Sequence, residues 1–595
     1  MTCGLRGHIP ATMSNAPLTA AAAIAAILDE SVRSLLPEGV EPPKLTVTRS
    51  KAGFSSDFQS AVALQLAKIL GRPPRDIAAE LSTVITECAG SLFGPPEISG
   101  PGFVGFRLSD EAMAGYLKTL LAADRLGVPQ ASGTIVVDFS SPNVAKRMHI
   151  GHIRSTVIGD ALRRMGLFLG YTVIGDNHIG DWGTQFGQLI YAWDHWLDSD
   201  AYAADPVGEL ERLYVKFNND AKEDPALMDL ARAELAKLQA GDERNLGLWT
   251  QFRNDSAVAF DTVYDRLGVH FDVTYGESHY NDMLGPLVDD LLKSGIAERS
   301  EGAVCVFFRD EAGEDTLPPF LVQKADGAAL YATTDLATVA YRMKEWQPDR
   351  ILYVTDHRQK LHFQQVFTTC EKMGVTTEFV HVPFGIMSLP EGSISTRSGN
   401  TIRLDELLDE AERRARATQE ERRSSGGEDL SDEALDELAA MIGIGAVKYA
   451  DLSNNPASNI MFSFEKMLSF EGNTAPYLQY TSARTHSLLR KAEEAGHGPD
   501  GRTLRLEDPV ERELMLHLMD FGAALRSGFD AGKPSTLATY LYELASHYHR
   551  WYAACPVLKL EDDTLLASRL NLNLFSQRVL TQGLSLLGIG APERM

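Results

Sequence analysis

Two histidines stand three residues apart where the sequence predicts that a helix begins, in the tetrapeptide formed by His149, Ile150, Gly151 and His152. A helix start presents unpaired N–H groups and the positive end of the helix dipole, so it favours phosphate. Glycine lets a ligand approach the backbone closely, and imidazoles can donate hydrogen bonds to phosphate oxygens. The pattern predicts a site for a nucleotide phosphate, although any single histidine here is more simply a surface side chain.

A strand, a loop and a helix are expected to position these histidines. Residues 134–137 are apolar and β-branched, as in a buried strand, and polar residues then break the strand: Ser140, Ser141, Pro142 and Asn143. From near His149, apolar residues recur three and four apart, which predicts a helix ended by glycines at 166 and 170. We expect Asp160, Arg163 and Arg164 on its outer side. With a further strand at 171–174, this unit predicts a parallel sheet.

Composition places the chain among ordinary globular proteins. Its 595 residues allow three or four domains, and 44% of them are hydrophobic and 23% charged. No apolar run reaches the roughly 18–20 residues that span a bilayer. Residues 20–28 resemble a signal-peptide core, but Asp29 and Glu30 follow at once, so we expect a folded helix, no export and a cytoplasmic protein. The five cysteines are far apart and never in C-x-x-C spacing, which predicts reduced thiols and no metal site.

The formal net charge of −25 argues against non-specific binding of nucleic acid. It does not exclude a specific RNA partner, because docking depends on local fields. Basic clusters that could face RNA are the following: Arg413, Arg414 and Arg416; Arg422 and Arg423; Arg484, Arg490 and Lys491. Each cluster alone is more simply a solvated helix face.

The pattern along the chain predicts several domains. Residues 1–16 are expected to be a disordered tail, and 17–126 a small α+β domain with helices at 17–36 and 57–71. Residues 127–424 are expected to be an α/β domain with a helical insertion at 191–270, and 432–595 a helical bundle.

Polar residues converge where strands of the predicted sheet end, which is where open α/β sheets bind ligands. We expect three such places: residues 138–143, 331–335 and 356–359. Asp335 is expected at a helix start, just after a strand that contains Tyr331. The simpler interpretations are a helix N-cap for Asp335 and a core residue for Tyr331. In the bundle, aromatic and arginine residues of helix 476–491 suit single-stranded bases, although a plain bundle would show the same periodicity.

Two long stretches resemble the arginyl-tRNA synthetases, a class I aminoacyl-tRNA synthetase family. They are SPNVAKRMHIGHIRSTVIGDALRR with GDWGTQFG, and FSFEKMLSFEGNTAPYLQYTSAR. The resemblance covers the chain from about residue 20 onward. It implies a Rossmann-like catalytic domain, an N-terminal tRNA-contacting domain and a C-terminal anticodon-binding bundle. It also implies an arginine–tRNA ligase that uses ATP with Mg²⁺, L-arginine and tRNA(Arg) and acts as a monomer.

The same resemblance implies roles for individual residues. The catalytic residues would be His149, His152, Lys146 and Arg397. Arginine would be bound by Ser141, Asn143, His152, Tyr331, Asp335 and Gln359, with Asp138 as a further negative charge. ATP would be bound by His149, Gly151, His152, Met387, Ser395, Thr396 and Arg397. The tRNA would be bound by Tyr477, Gln479, Tyr480 and Arg484.

Residues 394–403 resemble a degenerate form of the second class I motif, KMSKS. Arg397 stands where its second lysine would be, and Ile394 replaces the first. We hypothesise that Lys146 supplies the missing charge.

The reaction implied is a two-step ligation through arginyl-adenylate, and the resemblance also implies that the first step needs bound tRNA. Two alternatives stay open. One is another nucleotidyltransferase with the same tetrapeptide, and the other is a non-catalytic RNA-binding paralogue. Loss of the histidines or of the arginine-site residues would favour the second, but all of them are present.

Overall fold

The computed structural model describes residues 19–51, 54–388, 403–425 and 430–595. The first part of the chain is an antiparallel sheet with four helices, and its strand order is β1-β2-β4-β3. Its elements are α1 (Ala20–Leu35), β1 (Thr48–Arg49), β2 (Phe58–Ser60), α2 (Val62–Leu70), α3 (Pro74–Cys88), β3 (Glu97–Ser99), β4 (Phe103–Phe106) and α4 (Asp110–Ala122). The α+β class is confirmed, but the predicted helix over 57–71 is wrong at its start, because Phe58 and Ser60 are buried in strand β2.

The central sheet is parallel, with the order β11-β10-β5-β6. Its strands are β5 (Thr134–Asp138), β6 (Thr172–Asp176), β10 (Arg350–Asp356) and β11 (Glu378–Phe384). Helix α5 (Ile150–Leu169) connects β5 to β6, so the predicted strand–loop–helix–strand unit is present. Asp160 does not lie on an outer face of α5 as expected: it is buried and accepts a hydrogen bond from Arg164.

Five helices follow β6 and enclose a hydrophobic cluster of their own. They are α6 (Thr184–Trp196), α7 (Ser199–Ala204), α8 (Pro206–Glu223), α9 (Ala226–Gln239) and α10 (Glu243–Leu267). The expected helical insertion therefore forms a compact subdomain, with tryptophan and phenylalanine side chains packed at its centre.

The chain then returns to the central sheet through a second, antiparallel sheet of order β7-β8-β9. The elements are a 3-10 turn (Glu277–Tyr280), α11 (Asn281–Lys293), β7 (Ala297–Ser300), β8 (Ala303–Arg309), β9 (Asp315–Gln323), α12 (Tyr331–Glu345) and α13 (Lys360–Lys372). Tyr331 is therefore the first residue of a helix and not part of a strand, because a turn at residues 324–328 ends β9 before it. Residues 331–335 do not follow a parallel strand, which corrects the expectation.

The rest of the described chain is nearly all helical. Its elements are β12 (Met387–Ser388), α14 (Leu404–Ser424), α15 (Asp432–Leu452), β13 (Ile460–Met461), α16 (Phe464–Met467), α17 (Ala475–Glu494), α18 (Pro509–Met519), α19 (Phe521–Asp530), α20 (Pro534–Ala554) and α21 (Asp563–Leu586). A buried ion pair between Arg154 and Asp451 fixes α15 to α5, and another between Arg512 and Asp57 fixes the bundle to the first part of the chain. Among the described helices, none has the length and apolar character needed to traverse a bilayer.

Candidate active site

The loop after β5 holds two consecutive residues in the left-handed region, Ser140 at φ 72° and Ser141 at φ 51°. Such residues cost about 1–3 kcal/mol each and persist only when neighbours hold them. Here the Ser140 N–H donates to Ser155 Oγ at 2.9 Å, and the Ser141 N–H donates to the Asn177 side chain at 3.1 Å. Tyr264 contributes a third contact, to the Ser140 hydroxyl. The strained loop is therefore fixed by α5, by the residue after β6 and by α10, ahead of the histidines.

The two histidines form the cap of α5, and their hydrogen bonds define their protonation. His149 Nδ1 accepts from the Gly151 N–H and His152 Nδ1 accepts from the His149 N–H, both at 3.0 Å. The proton of each neutral ring therefore lies on Nε2. Burial, together with the nearby positive charge of Lys146, lowers the pKa of His149; burial and its histidine neighbour lower that of His152 to about 4. At neutral pH the site holds two uncharged Nε2–H donors at a helix N-terminus.

Glycine is required between the two histidines. A Cβ at position 151 would lie 2.8 Å from Cε1 of His149, whose ring is held in place by its bond to the Gly151 N–H. Any other residue would push the ring out of the cap, so the spacing and the glycine act together.

The chain on either side of residues 389–402, which include most of the segment that resembles KMSKS, lies beside α5. Before it, Met387 pairs with Ile460 in a short parallel bridge, and its side chain is buried. After it, Arg403 pairs with His149, and the Leu404 N–H donates to Met148 O at 3.0 Å. Ser395, Thr396 and Arg397 themselves lie outside the described residues. The chain therefore leaves and re-enters the described structure within reach of the tetrapeptide.

Lys146 joins the loop to the helical insertion. Its Nζ lies 4.6 Å from the centre of the Tyr214 ring on α8, a distance at which a cation–π interaction is favourable. Its positive charge acts on both His149 and His152. The ammonium group therefore contributes to a positive field at the start of α5, and its phosphate-neutralising role stays a prediction.

A second group of residues forms an acidic pocket, defined here as Asp335, Glu277 and Tyr331. Burial raises the pKa of the Glu277 carboxyl to about 8, with Asp181 and Asp335 as further causes. Burial and the charge of Glu277 also raise the pKa of Tyr331, whose side chain is nonetheless 74% exposed. Tyr214, which holds Lys146, acts on Tyr331 as well. Tyr214 therefore links the pocket to Lys146 beside the histidines, and a cation bound in the pocket would favour the ionised form of Glu277.

Glu277 is the site residue that sequence reasoning missed. It opens a short 3-10 turn between an insertion helix and α11, and neither a motif nor a periodic pattern distinguishes it from the other acidic residues. Only the fold brings Glu277 close to Asp335, whose negative charge acts on it. Asp335 itself is hydrogen-bonded to His362.

The remaining predicted arginine-site residues lie at the ends of the central strands. Ser141 Oγ donates to Asp138 Oδ1 at 3.3 Å, and Asn143 forms a parallel bridge with Gly180. Gln359 is exposed in a 3-10 turn directly after β10. Asp138 does not offer an uncompensated charge: its other oxygen accepts from Arg342 at 2.6 Å.

The predicted RNA-binding residues of α17 fall into two groups. Gln479 is fully buried, and its amide donates to Met441 O and Gly590 O, so it has no exposed atom for RNA. Arg484 donates to the Tyr480 hydroxyl at 2.6 Å and to His549 Nδ1 at 2.8 Å. Together with Tyr477 these residues form an aromatic–arginine face, completed by Arg422 from α14, which lies over Tyr480 and Phe470.

Most of the other predicted basic clusters are paired with acids of their own helices or of α15. These ion pairs are Arg413 and Arg414 with Glu410, Arg416 with Glu420 and Asp436, and Arg423 with Asp432. Among the arginines of α14, Arg422 is the one that stacks on aromatic rings of the face just described.

Comparison with known proteins identifies matches along nearly the whole chain. Residues 20–108 match the arginyl tRNA synthetase N terminal domain, 116–464 the catalytic domain of tRNA synthetases class I (R), and 478–595 the DALR anticodon binding domain. The arginine–tRNA ligase of Fusobacterium nucleatum is 43% identical over 571 residues, which is 96% of this chain and 98% of that protein.

Solved structures give the same result. The arginyl-tRNA synthetases of Plasmodium falciparum and Thermus thermophilus are each 27% identical, with TM-scores of 0.81 and 0.79. Each match covers 96% of this chain, and 98% and 99% of the two structures respectively.

Proposed function

The chain belongs to the arginyl-tRNA synthetases, class I enzymes that join arginine to tRNA, and on this premise we propose how its residues carry out that reaction. ATP is a substrate of the family, and we expect Mg²⁺ to arrive with it. Within the described residues, no group of three or more His, Cys, Asp or Glu side chains could hold a metal ion. The contribution of the chain itself to the phosphate chemistry is the set of donors and positive charges around the start of α5.

In the first step, a carboxylate oxygen of arginine attacks the α-phosphorus of ATP, and the bond to the bridging oxygen breaks to release pyrophosphate. His149 and His152 donate from Nε2 to phosphate oxygens as negative charge grows on them. Lys146 and Arg397 neutralise that charge. Because the imidazoles are uncharged before ATP binds, they need not lose a proton or a counter-ion for the reaction to start.

The acidic pocket selects the amino acid. The guanidinium of arginine is a planar cation with five donors, and two carboxylates facing each other are its natural partners. Asp335 and Glu277 supply them, and the exposed Tyr331 ring covers the guanidinium. Ser141, Asn143 and Gln359 bind the backbone groups of arginine.

In the second step, the 2′-hydroxyl of the terminal tRNA ribose attacks the activated carbonyl, and AMP leaves. The aromatic–arginine face of Tyr477, Tyr480, Arg484 and Arg422 receives unpaired bases by stacking. Gln479 is left out because it is buried. We expect the enzyme to act as a cytoplasmic monomer, and we expect bound tRNA to be needed for the first step.

One observation supports this proposal above the others: the same part of the molecule holds two neutral N–H donors at a helix start and two acidic side chains, Asp335 and Glu277, that act on each other electrostatically. The deciding experiment is arginine-dependent exchange of pyrophosphate into ATP, with and without tRNA. Exchange that needs both arginine and tRNA supports the proposal. Exchange without arginine would favour another nucleotidyltransferase, and RNA binding without exchange or charging would favour the non-catalytic paralogue.

A further inference from the structure

Arg342 lies beneath the site, inside the central sheet. It belongs to α12, its side chain is 0% exposed, and its guanidinium bonds two carboxylates at once. Nη2 donates to Asp138 at 2.6 Å and to Asp176 at 2.7 Å. These aspartates are the last residues of β5 and β6 and are partners in the strand register. We call them the floor carboxylates.

The third strand of the sheet takes part as well. The Arg342 guanidinium lies 5.5 Å from the centre of the Tyr353 ring, and Tyr353 is the register partner of Asp138 in β10. One side chain therefore links the carboxyl ends of β5 and β6 to the middle of β10, directly before the loop that carries Ser141.

Stability alone does not explain this arrangement. Replacing a buried ion triad by apolar residues is often neutral or stabilising. In addition, not every polar atom buried around Arg342 forms a hydrogen bond. Five of them have no hydrogen-bond partner among the described residues: Arg342 Nη1, Asp176 Oδ1, His178 Nδ1, Tyr280 Oη and Tyr353 Oη. A cluster that costs this much is expected to serve the site above it.

The connection to the site runs through Asp138. Its Oδ2 is taken by Arg342, while among the described residues its Oδ1 receives only the long hydrogen bond from Ser141 Oγ. A carboxylate can accept about four hydrogen bonds, so Oδ1 has capacity left for a donor on the ligand side. Asp138 is 7% exposed, which leaves a small area for that contact.

We propose that Arg342 is a positioning residue that aims Asp138 Oδ1 and the Ser141 hydroxyl at the α-ammonium group of the bound amino acid. The inference deepens the proposed function and rests on it. The guanidinium of Arg342 also occupies the space between the floor carboxylates, so that this pair does not compete with the acidic pocket for the guanidinium of the substrate. The substrate is thereby oriented with its guanidinium in the acidic pocket and its ammonium above the floor.

The test compares Arg342→Lys and Arg342→Met in pyrophosphate exchange. Both variants should raise KM for arginine, the Met variant by about tenfold or more, while KM for ATP changes less than about twofold. Lysine should recover part of the loss, because it keeps the charge but not the two-pronged geometry. The matched control is Arg350→Met, which removes an exposed ion pair with Glu378 at the opposite end of the same strands; it should change neither constant.

Argininic acid, in which a hydroxyl replaces the α-amino group, separates positioning from general damage. Its inhibition constant should stay within about twofold in the Arg342 variants, because it lacks the ammonium group that Asp138 receives. Equal weakening of arginine, argininic acid and ATP would overturn the inference, as would a Lys variant no better than Met. If the Met variant does not fold, the inference is tested with the Lys variant alone, by comparing its change in KM for arginine with its change in the inhibition constant of argininic acid. A wild-type enzyme without arginine-dependent exchange would instead refute the proposed function.

Discussion

The two groups of carboxylates near the site differ in what neutralises them. The floor carboxylates, Asp138 and Asp176, share the buried guanidinium of Arg342. In the acidic pocket, neither Asp335 nor Glu277 pairs with an arginine among the described residues: Asp335 bonds to His362, and burial and like charge raise the pKa of Glu277 to about 8. The comparison teaches that this chain neutralises the floor carboxylates with an arginine of its own, whereas we propose that the other pair receives the arginine of the substrate.

The largest expected effect follows from removing one of the floor carboxylates, and it should be a loss of folding stability. Asp176→Asn leaves Arg342 with one carboxylate in a fully buried position, and removing one partner of a buried pair costs about 3–5 kcal/mol. The free energy of unfolding from urea titration measures it. Glu378→Gln, which breaks the exposed pair with Arg350, is the control and should cost about 1 kcal/mol or less. Similar losses in the two variants would remove the distinction between the floor and an ordinary surface pair.

Breaking the pocket should affect activity and leave stability almost unchanged. Asp335→Asn removes a charge that we expect the guanidinium of the substrate to contact, so kcat/KM for arginine should fall about 10²- to 10³-fold, while KM for ATP stays nearly constant. Steady-state exchange kinetics with each substrate varied in turn provide the measurement. A matching rise in KM for ATP would show that Asp335 supports the whole site rather than the guanidinium.

The pocket should also respond to pH. A guanidinium binds the ionised form of Glu277, so KM for arginine should rise as the pH falls below about 8, by at most tenfold per unit. Burial holds the pKa of His152 near 4 and lowers that of His149, so neither should add a step. KM measured from pH 6.5 to 8.5 tests this. In Glu277→Gln the KM should be higher and flat, and a slope that survives the substitution assigns the effect to another group.

A further prediction concerns how the stability of the free enzyme depends on pH. The folded pKa of Glu277, about 8, lies above its ordinary value of 4.5, so the folded chain keeps a proton that the unfolded chain has lost. Stability due to this group therefore falls as the pH rises from about 4.5 to 8. Glu277→Gln should therefore stabilise the free enzyme at pH 8 and change its stability by almost nothing at pH 4.5. A stabilisation that is equal at both values would contradict a charge effect.

Local patterns were sufficient for the architecture around the histidines. The apolar strand, the polar loop and the period of α5 are properties of neighbouring residues, and their order alone predicts a parallel sheet with a site at its edge. The cap is equally local, since His149, Gly151 and His152 are bonded to one another. That is why the sequence could indicate phosphate chemistry before any contact between distant segments was known.

Other features depend on contacts between distant segments, and only the tertiary structure decided them. Glu277 reaches the acidic pocket from an unremarkable turn, and Arg342, which periodicity gives no special place, becomes the partner of two strand ends. Gln479, predicted to face RNA, is buried, and its side-chain amide donates hydrogen bonds to the carbonyls of Met441 and Gly590. The charge and burial of a site depend on every segment packed around it, and these segments are far apart in the sequence. Helix periodicity and capping depend only on residues within one or two turns.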